Sequence, residues 1–544
     1  MKSYRKRCIP GIVFVLVVFT NAQAQAQKPS PNEKIFEEGK KVYQKQCAVC
    51  HGATGQGESL ASYLLYPKPR DFSRNEFRLV STNDMQATDE DIFKAITRGM
   101  PGSAMPSWNH LSENERWALV YYVRYLAEIN NFKQSGEITD EMLKKEVPWP
   151  IIQKMLTKVI DPESLIKVTP EPKVTEERLK LGRELFVKGC VACHGLQGKG
   201  DGQQMMKDSA GLPLKPRDIT AGIFKGSSSS EDLYYRITGG IPGSPMPGYQ
   251  AAFTDEEIWN LIHYVQTLST PEAENRFRVQ HLRITAKRAG EVATDPLAGQ
   301  WSTAEPVLVV LMPLWWRDAR LEGLEVKALH DGKKIAFHLS WKDATKDDSA
   351  VAIQSFSDGV AIQLSQGKDL PTFAMGSAES PVTIWNWKAA WQEDLKEHRD
   401  IETAYPHAAV DWYESQKNYK LGSQIEMADT KTRFHDPKFI TGWGSGNPLS
   451  DPERKSAAEE SMAKGIGSLT AQKPKVEPVD VHGVWKDGVW QTVFVRDLKV
   501  SEKKALEFRP GESMSVAFAA WDGSKKDRNG QKEVSIWNEL VLEK

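Results

Sequence analysis

Apolar residues recur at helical spacing in two stretches of the first half of the chain, and each stretch closes with a capped amphipathic helix. Ser112 and Glu115 begin the first closing helix, and Thr254 and Glu257 begin the second. In each pair the hydroxyl and the carboxylate can satisfy unpaired backbone donors of the first turn. The pattern predicts two small all-α units of similar construction. Their apolar stripes are Leu119, Val120, Val123 and Leu126 in the first unit and Leu261, Ile262, Val265 and Leu268 in the second.

From about Trp301 onward the periodicity changes to that of strands. Segments 334–341, 359–364 and 513–521 alternate apolar residues with polar or small ones, and 13 of the 17 tryptophans lie in this part of the chain. Alternation with a period of two is typical of strands that bury one face. An all-β antiparallel sandwich is therefore predicted for residues 300–544.

The remaining segments divide the chain into domains. The helical units occupy residues 32–130 and 174–270, and proline-rich or charged linkers occupy 131–173 and 271–299. Within the sandwich, residues from about 393 to 478 interrupt the strand rhythm with polar, glycine- and serine-containing sequence. We interpret this stretch as a long insertion that docks against or covers one end of the sandwich.

The first 26 residues have the composition of an export signal. Basic residues precede an apolar run from Ile9 to Phe19, and the Ala-Gln repeats that follow offer small-residue cleavage sites. An uncleaved membrane anchor is the alternative, but the run is shorter than the roughly 20 apolar residues that a spanning helix requires. We therefore expect residues 1–26 to be removed on export to the periplasm, and Cys8 with them.

Charge and cysteine usage narrow the possible functions. The 71 basic and 72 acidic residues nearly balance, so no broad basic field exists to attract nucleic acid. Once Cys8 is removed, four cysteines remain, and each belongs to one of two repeated motifs. That usage leaves no cysteine for the disulfide framework of many exported proteins.

Each helical unit contains one CxxCH motif. Two cysteines at this spacing can form thioethers to the haem vinyl groups while the histidine binds the iron. The alternatives are a zinc half-site, a dithiol redox pair and a disulfide, and a zinc site would need a second ligand pair near each motif. We therefore predict two covalent haem c groups. The residues assigned are Cys47, Cys50 and His51 in the first unit and Cys190, Cys193 and His194 in the second.

A methionine loop follows the motif in each unit and offers a second axial ligand. The two units align here at an offset of 141 residues, which places Met105 on Met246. The other methionine of the first loop, Met100, falls on Ile241. We therefore assign Met105 and Met246 as the distal iron ligands. A packed core methionine is the alternative, although the flanking prolines and glycines suit a loop across the haem face better than a core helix.

The order of these parts, a helix into CxxCH, a methionine loop and a closing helix, resembles class I cytochrome c domains. The resemblance implies that Lys68–Asp71 and Lys215–Asp218 pass near the haem edge. Arg70 and Arg217 would then pair with haem propionates. An exposed turn with a solvated arginine is the alternative for each.

The tryptophan-rich part contains motifs similar to those of the haem b-binding γ subunits of ethylbenzene dehydrogenase and its relatives. These motifs are Asp358–Leu364, Phe373–Gly376, Val382–Lys388, Val516–Gly523 and Gly530–Trp537. In that family a methionine and a lysine bind a non-covalent haem, and the matching residues here are Met375 and Lys532. The resemblance thus implies one haem b. A lysine can bind iron only as the neutral amine, which burial favours.

Members of that family are electron-transfer subunits of periplasmic molybdenum enzymes acting on ethylbenzene, dimethyl sulfide, selenate, chlorate or nitrite. The resemblance implies an exported three-haem electron-transfer subunit with a molybdenum-containing catalytic subunit, an iron–sulfur subunit and a further redox partner. Two other classes are compatible with the residues: a di-haem cytochrome c with a carbohydrate- or surface-binding sandwich, and a haem enzyme. A haem enzyme needs an open iron position, and Met105 and Met246 argue against one.

Overall fold

The computed structural model describes residues 28–544 except 209–210, 212, 318, 367–369, 397–398, 400, 408–454, 472–478 and 500–505. The predicted signal peptide lies outside the described residues, and so does much of the predicted insertion. The described residues form two helical units followed by a large β domain. Among the helices described, none combines the length and the apolar character needed to cross a membrane.

The helices of the first unit and the linker after it are α1 (Glu33–Val42), α2 (Ala48–His51), α3 (Asp89–Arg98), α4 (Glu113–Gln134), α5 (Asp140–Lys145) and α6 (Trp149–Leu156). The second unit and the segment after it contain α7 (Glu176–Gly189), α8 (Val191–His194), β1 (Met206–Lys207), β2 (Pro213–Leu214), α9 (Ser230–Gly239), α10 (Asp255–Gln266) and α11 (Pro271–Asn275).

The first part of the β domain contains β3 (Arg283–Arg288), β4 (Val307–Val310), β5 (Met312–Pro313), β6 (Gly323–His330), β7 (Lys334–Lys342), β8 (Gly359–Ser365), β9 (Val382–Lys388), α12 (Ala389–Asp394) and α13 (Ile401–Ala404). The second part contains β10 (Ala458–Ala463), β11 (Thr470–Ala471), β12 (Asp480–Lys486), β13 (Val489–Asp497), β14 (Ser513–Trp521), β15 (Glu533–Val534) and β16 (Asn538–Leu542).

The first and last helices of each unit cross at a glycine. A Cβ atom on Gly39 of α1 would lie 2.0 Å from the carbonyl oxygen of Ala118 in α4. A Cβ atom on Gly182 of α7 would lie equally close, 2.0 Å, to the carbonyl oxygen of Asn260 in α10. Only glycine permits this approach.

The predicted capping boxes of α4 and α10 are both formed. The second unit also contains the short β1–β2 ribbon, so it is not purely helical.

The β domain contains one mixed sheet, so the prediction of a wholly antiparallel fold is wrong at one strand. The main strand order is β11-β10-β9-β8-β14-β16-β3-β6-β7-β13-β12. Strand β3 runs parallel to both of its neighbours, β16 and β6, whereas the other pairs are antiparallel. The reason is topological, because β3 enters the sheet directly from the segment after the second helical unit and not through a hairpin. The predicted linker 271–299 therefore contains a central strand.

The sheet folds over on itself into two layers around a tryptophan-rich core. Trp387 of β9 packs on Trp490 of β13 with ring centroids 5.1 Å apart, although these strands lie towards opposite ends of the strand order. Trp341 of β7 joins the same contact. Strand β10, which falls within the predicted insertion, pairs with β9 and extends one layer.

The glycine crossing predicts an unusual response to a helix-favouring substitution. Gly182→Ala should lower stability by about 1–3 kcal/mol, because overpacking against the Asn260 carbonyl exceeds the gain in helix propensity of about 1 kcal/mol. Thermal unfolding followed by circular dichroism measures the effect. Gly290→Ala is the control, since a Cβ atom at Gly290 would meet none of the described atoms within 4 Å. Equal melting temperatures for the two variants would contradict the assigned crossing.

Candidate haem sites

The first CxxCH motif follows α1 through a π-helical turn at Tyr43–Cys47 and continues into α2. The His51 ring is half-buried, and its Nδ1 lies 3.1 Å from the carbonyl oxygen of Arg70. A proton on Nδ1 can donate to that carbonyl, which leaves the lone pair of Nε2 for iron. The ring also stacks on Phe72 at a centroid distance of 4.6 Å. These contacts orient His51 as a metal-binding histidine requires.

An apolar cavity lies against this motif. Cys47, Cys50 and His51 line the cavity, and Met100 and Met105 line it as well. Two thiols, an imidazole and a thioether are the donors that a covalent six-coordinate haem needs, so the residues present fit the group. Because both methionines line the cavity, their positions in it do not show which of them would bind the iron.

The loop that carries the methionines is built in the same way in both units. In the first, the amide of Met100 donates to the carbonyl of Met105 at 3.0 Å. In the second, the amide of Ile241 donates to the carbonyl of Met246 at 3.1 Å. Met105 and Met246 therefore occupy equivalent positions, which supports their assignment over Met100.

The second CxxCH motif lies on α8 and is packed differently. Cys190 and Met246 belong to one apolar cluster, so the structure brings one predicted thioether residue and the predicted methionine ligand into the same region. His194 Nδ1 is enclosed and has no hydrogen-bond partner among the described residues, in contrast to His51. Burial lowers the pKa of both histidines, which favours the neutral ring that binds a metal.

Basic side chains surround the first cavity. The described residues that line it include five lysines and arginines and no carboxylate. Burial, together with the neighbouring arginines, lowers the pKa of Lys225 to about 7. Arg70 and Arg78 have acidic neighbours, Glu76 at 3.9 Å and Asp208 at 3.5 Å, and two haem propionates would add further negative charge beside the group. The five residues are Lys68, Arg70, Arg78, Arg217 and Lys225.

The second unit contributes to the cavity of the first. Arg217 Nη2 donates to the carbonyl of Gly102 at 2.5 Å, and its guanidinium lies 4.1 Å from the ring centroid of Trp316. Arg217 therefore reaches the first haem pocket, whereas the repeat had associated it with the second. Arg78 and Lys225 were missed by sequence reasoning. Neither belongs to a repeated motif. Arg78 lies in the first unit itself, and Lys225 comes to the cavity through packing of the second unit against the first.

A separate cavity of about 1130 Å³ lies in the β domain. It is called the third cavity because the β domain is the third domain of the chain. Residues of β14 and alternate residues of β8 and β9 form one wall, and both Met375 and Lys532 line the cavity. Its size is slightly above the roughly 300–1,000 Å³ that is usual for cofactor and ligand sites. The structure thus brings together the two residues that the family resemblance pairs.

Met375 has an uncommon backbone conformation, and Lys532 has an uncommonly low pKa. Met375 has φ +67°, a left-handed conformation that side chains other than glycine rarely adopt. Its amide donates to Phe373 O at 3.0 Å, and its carbonyl accepts from Gly465 at 2.9 Å. Burial lowers the pKa of Lys532 to about 8, and its Nζ lies 4.8 Å from the ring centroid of Trp521. A thioether and an amine poised to be neutral fit the axial positions of a haem.

The first helical unit closes one side of this third cavity. Leu64 of that unit lines the cavity and lies over Gly530, where a Cβ atom would be 2.5 Å from Leu64 Cδ1. Phe373 lines both the third cavity and the cavity of the first unit. Gln46 Nε2 also donates to the carbonyl of Leu370 at 3.0 Å. The first unit therefore contacts both the β domain and the second unit.

Comparison with known families matches three parts of the chain. Residues 35–123 match the family of cytochrome c oxidase, cbb3-type, subunit III, and residues 179–269 match cytochrome c. The helical units are thus two cytochrome c domains, a class whose members carry haem c. Residues 299–533 match the ethylbenzene dehydrogenase family. The β domain thus matches the ethylbenzene dehydrogenase family, and in this chain it is fused to two cytochrome c domains.

Several known proteins are similar to parts of the chain. The chlorate reductase subunit gamma of Ideonella dechloratans is 21% identical over 280 residues, 50% of this chain and 87% of that protein. The dimethylsulfide dehydrogenase subunit gamma of Rhodovulum sulfidophilum is 37% identical over 216 residues, 40% of this chain and 58% of that protein. A chain of the reducing HAO-like protein complex of Kuenenia stuttgartiensis is 33% identical with a TM-score of 0.36, covering 45% of this chain and 100% of that chain. The chain spans 56% of the length of a putative respiratory nitrate reductase heme subunit of Haloferax mediterranei. It spans 58% of the length of the dimethylsulfide dehydrogenase subunit, so in both cases little more than half of the relative is matched.

The shared loop geometry predicts which methionines bind iron. Met105→Leu and Met246→Leu should each abolish one sulfur-to-iron charge-transfer band of the oxidised protein and lower the potential of that haem, because a thioether favours the reduced iron. Covalent haem should remain attached in both variants. Near-infrared absorption and a redox titration measure the two effects. Met100→Leu is the matched control, and the same loss in that variant would overturn the assignment.

Proposed function

We propose that the chain is a three-haem electron-transfer subunit carrying two haem c and one haem b. The observation that supports this most is the position of Phe373, which lines both the first cytochrome c cavity and the cavity that holds Met375 and Lys532. Two cofactors on either side of one aromatic side chain would be close enough for direct electron exchange. The relatives named as gamma subunits of chlorate reductase and dimethylsulfide dehydrogenase support the same role.

In this proposal each group is held by residues already described. Cys47, Cys50 and Cys190, Cys193 form the thioethers, and His51 with Met105 and His194 with Met246 are the axial pairs. Met375 and Lys532 are the axial pair of the haem b. Arg70 and Arg217, joined by Arg78 and Lys225, neutralise propionates at the junction of the two cytochrome domains.

The packing supports an order for the three sites that differs from their order in the chain. The first cytochrome c domain contacts the β domain through Leu64 and the second cytochrome domain through Arg217. Arg217 also lies 4.1 Å from the ring centroid of Trp316 in the β domain, but it lines the first cytochrome cavity, and Phe373 lines both that cavity and the third cavity. Electrons exchanged between the β domain and the second cytochrome domain would therefore pass through the first. The second domain would be the outer end of the route, where a further redox partner binds.

The partners follow from the family and belong to the proposal. By resemblance they are a molybdenum-containing catalytic subunit and an iron–sulfur subunit. The substrate of such a complex would be bound by the catalytic subunit, and this chain would transfer electrons one at a time.

A carbohydrate-binding sandwich is the second candidate function, and the tryptophans disfavour it. Sugar-binding sandwiches present exposed aromatic rings, but the described tryptophans are mostly core residues. Trp315 is the one described tryptophan with a large exposed fraction, 42%, and it stacks on Tyr66 of the first cytochrome domain at 5.3 Å.

The number of haem groups distinguishes the three-haem electron-transfer subunit from the carbohydrate-binding alternative. Acidified acetone extracts haem held by coordination and packing but leaves thioether-linked haem behind. Haemochrome spectra of the full chain should therefore show one extractable haem b for every two retained haem c. A protein whose haem is all retained would overturn the three-haem proposal.

Substitution of the two proposed axial residues tests the haem b site directly. Met375→Ala and Lys532→Ala should each remove the low-spin haem b spectrum and lower the melting temperature, because haem bound only to the folded state adds stability. The control for Met375 is Met85→Ala, since Met85 also has positive φ (+62°) but is exposed. The control for Lys532 is the exposed Lys525→Ala. Unchanged haem b content in both axial variants would refute the ligand assignment.

A further inference from the structure

Three aspartates meet at one edge of the β domain, away from the proposed axial residues. Asp343 follows β7, Asp358 precedes β8 and Asp522 follows β14. Strands β8 and β14 are antiparallel neighbours with Gly359 opposite Trp521, so Asp358 and Asp522 lie side by side at the strand ends. One carboxylate oxygen from each of the three residues lies within 4.8 Å of the other two.

Burial makes this cluster different from ordinary surface acids. Asp358 is fully buried, and Asp343 is only 6% exposed. Asp343 Oδ1 accepts from the amide of Thr345 at 3.1 Å, but Oδ2 is enclosed and has no hydrogen-bond partner among the described residues. A buried carboxylate oxygen without a partner is unfavourable, so this oxygen points to a missing ligand.

No cation among the described residues compensates the cluster. Elsewhere in the domain, the buried Asp527 and Glu533 share Arg317 at 2.5 and 2.6 Å. By contrast, Asp343, Asp358 and Asp522 form no ion pair with a described lysine or arginine. Burial, with the nearby Asp522, raises the pKa of Asp343 to about 6, and burial raises that of Asp358 to about 7.

We propose that Asp343, Asp358 and Asp522 bind a divalent cation of the calcium class. Ca²⁺ takes oxygen ligands at about 2.3–2.6 Å, so ligands on opposite sides of it are up to about 5 Å apart, which the cluster satisfies. Mg²⁺ usually keeps several waters and uses one or two carboxylates. Zinc prefers histidine or cysteine, and the cluster contains neither.

The ion would hold a loop that forms part of the third cavity. Residues 344–357 connect Asp343 to Asp358, and Ser349, Val351 and Phe356 of this loop line that cavity. The amide of Asp347 already donates to Asp358 at 2.8 Å. A cation at the cluster would therefore fix both ends of the loop to the end of β14. The binding site itself does not depend on the proposed haem.

Equilibrium dialysis tests the site on the full chain. The protein is stripped with EDTA and dialysed against calcium chloride at mildly alkaline pH, and bound calcium is measured per chain. Wild type should retain one more Ca²⁺ than Asp343→Asn and Asp522→Asn. Asp348→Asn is the matched control, because Asp348 lies on the same loop but pairs with Lys346 and Arg399. It should retain as much calcium as wild type.

Thermal unfolding gives a second readout that does not need the variants to fold. Calcium at 100 times its Kd should raise the folded-to-unfolded ratio of wild type about 100-fold. Mg²⁺ at the same concentration as calcium should not displace the bound calcium. Three results would overturn the proposal: wild type that retains no calcium, Asp343→Asn that binds as well as wild type, or displacement by Mg²⁺ at equal concentration.

Discussion

Contact between the first cytochrome c domain and the β domain is the constraint on which the arrangement of the first and third cavities depends. Leu64 occupies the space left by the missing side chain of Gly530, and any Cβ there would lie 2.5 Å from it. On the other face of the contact, Phe373 reaches from the β domain into the wall of the cytochrome cavity. Because both contacts are apolar and close-packed, the two cavities cannot move apart without opening a void.

The second cytochrome domain contacts the first mainly through ion pairs and through hydrogen bonds from arginines to backbone carbonyls. Arg98 pairs with Asp232 at 2.5 Å, and Arg236 Nη2 donates to the carbonyl of Val80 at 2.5 Å. The basic residues around the first cavity add to this junction, and their mutual repulsion is part of why the pKa of Lys225 is lowered. Anionic groups bound there would therefore strengthen the association of the two domains as well as neutralise the cations.

Much of the architecture could be predicted from short-range patterns. The two CxxCH motifs, the capped closing helices and the strand alternation are local signals, and all of them correspond to the elements observed. Met375 and Lys532 came from family resemblance, because 157 positions of sequence separate them and no local pattern joins them. Arg78, Lys225 and the aspartate cluster depend on packing between distant segments. That information is not contained in the spacing of any motif.

The parallel strand β3 has a consequence for how such a chain can be divided. It lies between β16 and β6 and joins the two halves of the sheet, yet residues 283–288 come before the part that matches the ethylbenzene dehydrogenase family. A chain cut at residue 300 would lose this strand and expose two unpaired strand edges in the middle of the sheet. The cytochrome domains are thus not interchangeable modules attached at a free end. Any exchange of them between relatives would have to keep the segment that follows α11 with the β domain.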